Sequence, residues 1–247
     1  MSAGVVQLIA IGAQDEYIMG NPEISFFSSH FKRHANFSQS TEKQTILGAV
    51  KSNSMSSVNF ERSGDLLGYV YFAADDSSQA QSIDDWRTLV DKVELLIGGS
   101  VVDSQDSTFS EKIAIDTFAQ NVSKSAMGPH PGTSSSSYFY PLRFFFCESA
   151  KSAIPLVAHN YHNVELRIYW GPNASAYNIE CFANYYYIDT KERAQISTKT
   201  HDILITQVQK NIPSQNRIQE LTFNHPVKYI ASSNTSVVSS LTSPSNR

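Results

Sequence analysis

The chain is short of several things. Only two cysteines, Cys147 and Cys181, stand among its 247 residues, and no CxxC occurs. Two thiols cannot make a disulfide framework, and the missing CxxC excludes a zinc ribbon or a dithiol redox motif. They read as two reduced, buried thiols of a cytosolic protein, with a single disulfide between them left open. Charged residues make up 17%, against a usual ~25%. With 19 Lys+Arg against 23 Asp+Glu the net charge is -4, which excludes a polyelectrolyte tail or a generic basic nucleic-acid binder. Only 11 glycines exclude collagen-like and glycine-linker architectures. No run reaches the ~18–20 apolar residues of a membrane helix. The N-terminal apolar run, Val5 to Ile11, lacks a basic flank and does not read as a signal peptide. The Asn-x-Ser/Thr triplets at Asn36, Asn121, Asn173 and Asn234 therefore weigh little as glycosylation marks.

What is present is β-forming. Val164–Trp170 alternates cleanly, with Val164, Leu166, Ile168 and Trp170 on one face. Val93, Leu95 and Ile97 share a face, and Gly98-Gly99 then supplies the positive φ of a tight hairpin before Val101-Val102. Further strands are expected at Leu66–Ala73, Tyr138–Cys147, Ile179–Ile188, His201–Gln209, Ile218–Phe223 and Val227–Ala231. Pro141 argues against an unbroken strand over 138–147. Asn224-His225-Pro226 reads as a bend. Thr108-x-x-Glu111 has capping-box spacing, followed by Ile115, Phe118 and Val122 at helical intervals, so one helix is expected there. A shorter turn is expected near Asp84–Leu89. Ser-rich stretches at 77–82, 133–137 and 232–245 read as loops. Many strands with little helix predict an all-β sandwich or barrel.

Catalytic patterns are weak. His159-x-x-His162-x-x-Glu165 has a metal-like look, but on a strand residues three apart face opposite ways. His30 and His34 lack a third ligand. Asp75-Asp76 and Asp84-Asp85 read as solvated loop acids. No G-x-S-x-G, Walker or G-x-G-x-x-G motif occurs. Phe144–Phe146 and Tyr185–Tyr187 lack the interleaved cations of a base-stacking surface, so they read as core or interface. The expectation is no catalytic residue, no cofactor and no metal.

An ordered set of motifs runs through most of the chain. It opens with Gln7-Leu8, Gly12-Ala13-Gln14-Asp15, Gly20-Asn21-Pro22, Phe26-Phe27 and Arg33-His34. It continues with Arg62-x-Gly64-Asp65-Leu66, Val93-Glu94-Leu95-x-Ile97-Gly98-Gly99 and Pro141-Leu142. Pro155-Leu156-x-Ala158-x-x-Tyr161-His162, Asp189-Thr190-x-Glu192-Arg193 and Phe223-Asn224-His225-Pro226 complete it. In this the sequence resembles the major capsid proteins of nucleocytoplasmic large DNA viruses, of the algal-virus and giant-virus type.

The resemblance implies two consecutive eight-stranded antiparallel jelly rolls, of which this chain would hold the first. Residues 1–25 would be an N-terminal arm, 26–212 the first jelly roll, and 213–247 a linker with the opening strands of a second. Family members are longer, so a chain ending at Arg247 is not expected to form the pseudo-hexagonal trimer unaided. The implied function is a structural subunit of an icosahedral capsid, not an enzyme. Its partners would be itself, as a homotrimeric capsomer, neighbouring capsomers and minor capsid proteins beneath the shell, with no direct nucleic acid. Its place would be the virion, assembled in the host cytoplasm. The motif residues would be structural, and His34 and His162 would bind no metal. Two departures stand out: Val102-Asp103-Ser104 where the family usually has Ile-Asp-Lys, and Phe109 near its usual Trp. A carbohydrate-binding jelly roll is the alternative, with Tyr177 and Tyr185–Tyr187 lining a groove. A cupin-like metal enzyme comes third, opposed by strand parity at 159–162.

Overall fold

The computed structural model describes residues 36–74, 86–114, 139–159, 161–212, 218, 220–232 and 240–242. The chain divides into Met1–Asn36 and Phe37–Arg247, and the account below concerns the second unit. The expectations for Gly12 through His34, for Asp75-Asp76 and Asp84-Asp85, for Ile115, Phe118 and Val122, and for the stretches 77–82 and 133–137 lie outside the described residues.

The unit is an antiparallel jelly-roll sandwich. One sheet runs β1 (Phe37–Gln44), β10 (Ile179–Ile188), β4 (Leu66–Ala74) and β7 (Phe139–Pro141), with β8 (Ile154–Pro155) also paired to β4. The other runs β2 (Ile46–Leu47), β3 (Met55–Asn59), β9 (Val164–Trp170), β5 (Val90–Ile97) and β6 (Ser100–Asp106). β1 and β2 are separated by Thr45 alone, so the chain passes from one sheet to the other within a single step.

Alternation explains the core. In β9 every second residue is buried, and Leu166 and Ile168 have no exposed surface. Across the sandwich, Ile179, Cys181, Ala183 and Tyr185 of β10 point inward in the same rhythm. β4 has apolar residues on both faces because a bulge resets its parity. Ala183 pairs with Val70 but Tyr185 with Leu67, so Leu67, Val70 and Phe72 all reach the core. Trp86, in a turn of 3-10 helix at Trp86–Thr88, is fully buried and packs on Tyr140 with ring centroids 5.7 Å apart. Leu95 and Val93 are buried, while Ile97 is half-buried at the sandwich end. The Gly98-Gly99 hairpin forms as expected, with φ of +60° and +81° and Ile97 paired to Ser100.

Several expectations fail for identifiable reasons. The 138–147 strand stops at Pro141, which supplies no N–H, and Phe145–Cys147 is a 3-10 turn that drives Phe144, Phe145 and Phe146 into the core. Thr108 is not a helix cap. It is itself helical, and the Asp106 carboxylate instead accepts the Phe109 N–H at 2.9 Å, starting a π-helical stretch over Phe109–Ile113. His201–Gln209 forms no ladder. It lies along the free edge of β6 through side chains: Asp103 Oδ1 accepts the Val208 N–H at 2.9 Å, and the Gln207 amide donates to the Val102 carbonyl. Ile218–Phe223 is not a strand among its described residues, and the expected pairing across the 224–226 bend is replaced. β11 (Ile230–Ser232) pairs with β12 (Ser240–Thr242), a stretch expected to be loop. One helix was not anticipated, α1 (Thr190–Thr198). Asp189 caps it by accepting the Thr190 N–H at 2.8 Å.

Candidate functional site

Strand register separates the two ends of the sandwich. Phe37 pairs with Ile188, Leu66 with Tyr186 and Ile97 with Val164, so these residues share one end. The other end holds Ala74, the last residue of β4, and the π-helical turn that follows β6. The described motif residues Gly64, Asp65, Gly98, Gly99, Pro155, Tyr161 and His162 gather at the first end, whereas Asn224, His225 and Pro226 are exposed and belong to no strand.

Asp65 organises that end. It is 4% exposed, and both carboxylate oxygens are used. Oδ1 meets Arg193 Nη2 at 2.6 Å, and Oδ2 accepts the Ile188 N–H at 2.9 Å. Its own backbone N–H donates to the Tyr186 carbonyl, and its carbonyl accepts from Val157. One residue thus ties the entry to β4, the end of β10, α1 and the Leu156–Ala158 turn. Gly64 has no room for a side chain, since a Cβ there would lie 2.7 Å from the Tyr185 Cβ. Arg62 reaches the His159 carbonyl. Pro155 pairs with Leu66, and its carbonyl meets His159 Nδ1 at 2.8 Å. Gly98 carries the His162 ring, whose Nδ1 would be 2.8 Å from a Cβ at that position.

Beside this clamp lies an open hollow of about 440 Å³. Ile97, Phe145, Pro155, Ile203 and Ile205 give it apolar walls, and Lys199, His159, His162 and His201 its polar ones. Tyr161 at its margin is 93% exposed. The strand-parity argument for His159 and His162 does not apply, because β9 begins only at Val164, and both residues border the same hollow. Among the described residues no group of three or more His, Cys, Asp or Glu is placed to hold a metal ion.

The remaining chemistry is structural in character. Cys147 and Cys181 are unpaired, and burial pushes both thiols up to about 12, far from a nucleophilic thiolate. Burial likewise raises Asp103, against the opposing pull of the Val208, Gln105 and Ser104 hydrogen bonds. Tyr185 cannot line the groove expected for a glycan: it has no exposed surface and donates to Gln44 Oε1 at 3.0 Å, while the half-buried Tyr187 donates to Glu42. On the outer face of the β5–β9 pair, Glu94 gathers Lys92 at 2.7 Å, Tyr169 at 3.2 Å and Arg167 at 3.6 Å. Sequence reasoning missed Arg193 as the partner of Asp65, although both stood in the quoted motifs. It also missed the hollow, which no local pattern encodes.

Comparison with known proteins agrees with this architecture. The family described as Major capsid protein N-terminus matches residues 25–201. The major capsid protein of Pyramimonas orientalis virus is 32% identical, over 92% of this chain and 64% of its own length. The major capsid protein of Paramecium bursaria Chlorella virus 1 is 29% identical over 94% of this chain and 60% of its own. Capsid protein 1 of Acanthamoeba polyphaga mimivirus is 28% identical over 93% and 48%. The chain therefore spans less than two thirds of the length of each of these relatives. In fold it is similar to the PBCV-1 VP54 crystal structure, with a TM-score of 0.67 and 24% identity over 84% of this chain and 58% of that one. These relatives are structural capsid proteins, not enzymes. By the span of the family match, and by the jelly roll that underlies it, the chain belongs to the virus major capsid protein family and corresponds to its N-terminal region.

Proposed function

We propose that the chain supplies the first jelly roll of a structural subunit of an icosahedral virus capsid, a subunit that self-assembles into pseudo-hexagonal trimeric capsomers. The observation that carries this reading is the coincidence of the family match over 25–201 with the sandwich strands from Phe37 to Ile188. The physics is consistent with it. The outer edges β1 and β6 and exposed apolar side chains such as Phe37, Leu47 and Leu204 suit association. Closed three-fold symmetry would bury such surfaces with one repeated interface.

In this reading residues 1–25 act as an arm docking on neighbours, 26–212 form the first jelly roll, and 213–247 lead into a second. Gly12, Gln14, Asp15, Asn21 and Pro22 are structural residues of the arm, and Phe26, Phe27, Arg33 and His34 of the opening of the first jelly roll. Gly64, Asp65, Gly98, Gly99, Pro155, Tyr161 and His162 hold the sandwich end. Asn224, His225 and Pro226 make the bend toward the second jelly roll. The partners are further copies, neighbouring capsomers and minor capsid proteins, in a virion assembled in the host cytoplasm. Mass spectrometry of purified, chemically cross-linked virions tests this. Abundant peptides from 25–201, with cross-links between copies, are expected. Absence of the chain from virions, or its presence only in soluble infected-cell extract, overturns the reading.

A further inference from the structure

We propose that Asp103 latches the chain after α1 onto the edge of β6, and that through this latch the sandwich fixes the Asn224-His225-Pro226 bend. The latch builds on the reading above, in which that bend leads toward a second jelly roll, and becomes the joint at the base of the departing chain.

Residues 199–212 run past β6 without joining its ladder. Ile205 packs against the core, whereas Leu204 beside it is 97% exposed. The attachment to β6 is concentrated in four residues. Asp103 Oδ1 accepts the Val208 N–H at 2.9 Å, the Gln207 amide donates to the Val102 carbonyl, and Lys210 meets Asp106. Residues of the same short stretch reach the other way. Gln209 Oε1 accepts the Asn224 N–H at 3.1 Å, and Asn211 Nδ2 donates to the Glu220 carbonyl at 3.2 Å. Residues 207–211 are therefore a splice, bonded to the sandwich on one side and to the bend on the other.

Of the bonds to β6, the one at Asp103 governs. Gln207 and Lys210 are exposed, so water competes for their bonds and their long side chains lose freedom in making them. Asp103 is 4% exposed, and its carboxylate is already oriented. Oδ1 also accepts the Ser104 N–H at 2.9 Å, and Oδ2 accepts Gln105 Nε2 at 2.8 Å. Gln105 is held in turn, since Nε2 also donates to the Arg143 carbonyl at 2.9 Å. An ionised acceptor makes a hydrogen bond about twice as strong as a neutral one. When the strap lifts, the Ser104 and Gln105 bonds remain, so the carboxylate keeps partners and the joint opens without unfolding the sandwich.

Solvent exchange of backbone amides, read by 15N NMR on the whole chain, tests this. In the unaltered chain the Val208 and Asn224 amides should exchange about tenfold or more slowly than the exposed Leu204 amide. Asp103→Ala should release both. Should that variant fail to fold, Val208→Pro removes the donor without touching the sandwich, and the Asn224 amide should speed up about tenfold at an unchanged melting temperature. Gln209→Ala should release Asn224 and leave Val208 slow. Val208 exchanging as fast as Leu204 in the unaltered chain, Asn224 unmoved by Val208→Pro, or Gln209→Ala releasing Val208 as fully as Asn224 overturns the proposal. The rates are read on the chain alone, so they stand apart from its presence in virions.

Discussion

Arg193, on a helix with no buried residue, places its guanidinium 2.6 Å from the carboxylate of Asp65, which the sandwich has almost wholly enclosed. The carboxylate also holds the last amide of β10, at Ile188. A charge so enclosed is tolerated because its lone pairs are satisfied. Arg193→Ala leaves the enclosed carboxylate without its counter-charge and should destabilise by about 3–5 kcal/mol. Asp65→Ala leaves the Ile188 amide without its acceptor and a guanidinium that is already half in solvent, and should cost less, about 1–3 kcal/mol. Urea denaturation followed by tryptophan fluorescence measures both, and a smaller loss in Arg193→Ala than in Asp65→Ala would show that the enclosed carboxylate does not need its counter-charge.

Leu166 sits in the middle of β9 between β3 and β5, with no exposed surface. Truncation to Ala should cost roughly 2–5 kcal/mol, the spread reflecting how far the cavity collapses. An unchanged denaturation midpoint would contradict the burial of this strand face.

The hairpin glycines differ in a way that mutation can separate. Both have positive φ, but a Cβ on Gly98 meets the His162 ring, whereas one on Gly99 meets open space. Gly99→Ala should cost about 1 kcal/mol from backbone strain alone, and Gly98→Ala more, up to about 3 kcal/mol. Adding His162→Ala to Gly98→Ala should recover part of the difference. No recovery would mean that the collision is not the cause.

The two thiols predict an alkaline limit. Their values rise from 9.0 unfolded to about 12 folded through burial, so the folded chain keeps protons that the unfolded chain loses. Their contribution is complete below pH 9 and is lost as pH rises toward 12. Stability should therefore fall across that window, and less steeply in a Cys147→Ala/Cys181→Ala variant. At pH 8 a thiol reagent should leave the fully buried Cys181 unlabelled until denaturant is added, and rapid labelling of Cys181 in the native chain would refute the assignment.

The legible parts of the fold are those governed by short-range rules. β9 follows from period-two alternation, and the β5–β6 hairpin from two glycines between alternating runs. α1 was legible in principle, because Asp189 and Glu192 stand at capping-box spacing, but its lack of any apolar stripe hid it. His201–Gln209 has the composition of a strand yet meets β6 only through side chains, since Asp103 occupies the Val208 amide. That depends on a residue far off in sequence. The hollow is of the same kind: its walls come from β5, β6, β8, the Phe145–Cys147 turn and the segment after α1. Only the motif resemblance foreshadowed that end, by naming Asp65, Gly98, Pro155, His162 and Arg193 without showing that they are neighbours.

Phe37, the first described strand residue of the sandwich, pairs directly with Ile188, the last residue of β10. Among the described residues, the first and last strands of the sandwich thus meet on one rung of a shared ladder. Such a module can be copied in tandem, or reconnected with a new beginning in one of its loops, with no strand threaded through another. Two sandwiches in series would each close on their own first and last strands, joined by a connector that crosses neither sheet. A circular permutant with Phe37 joined to Ile188 by a short linker should fold to the same pair of sheets.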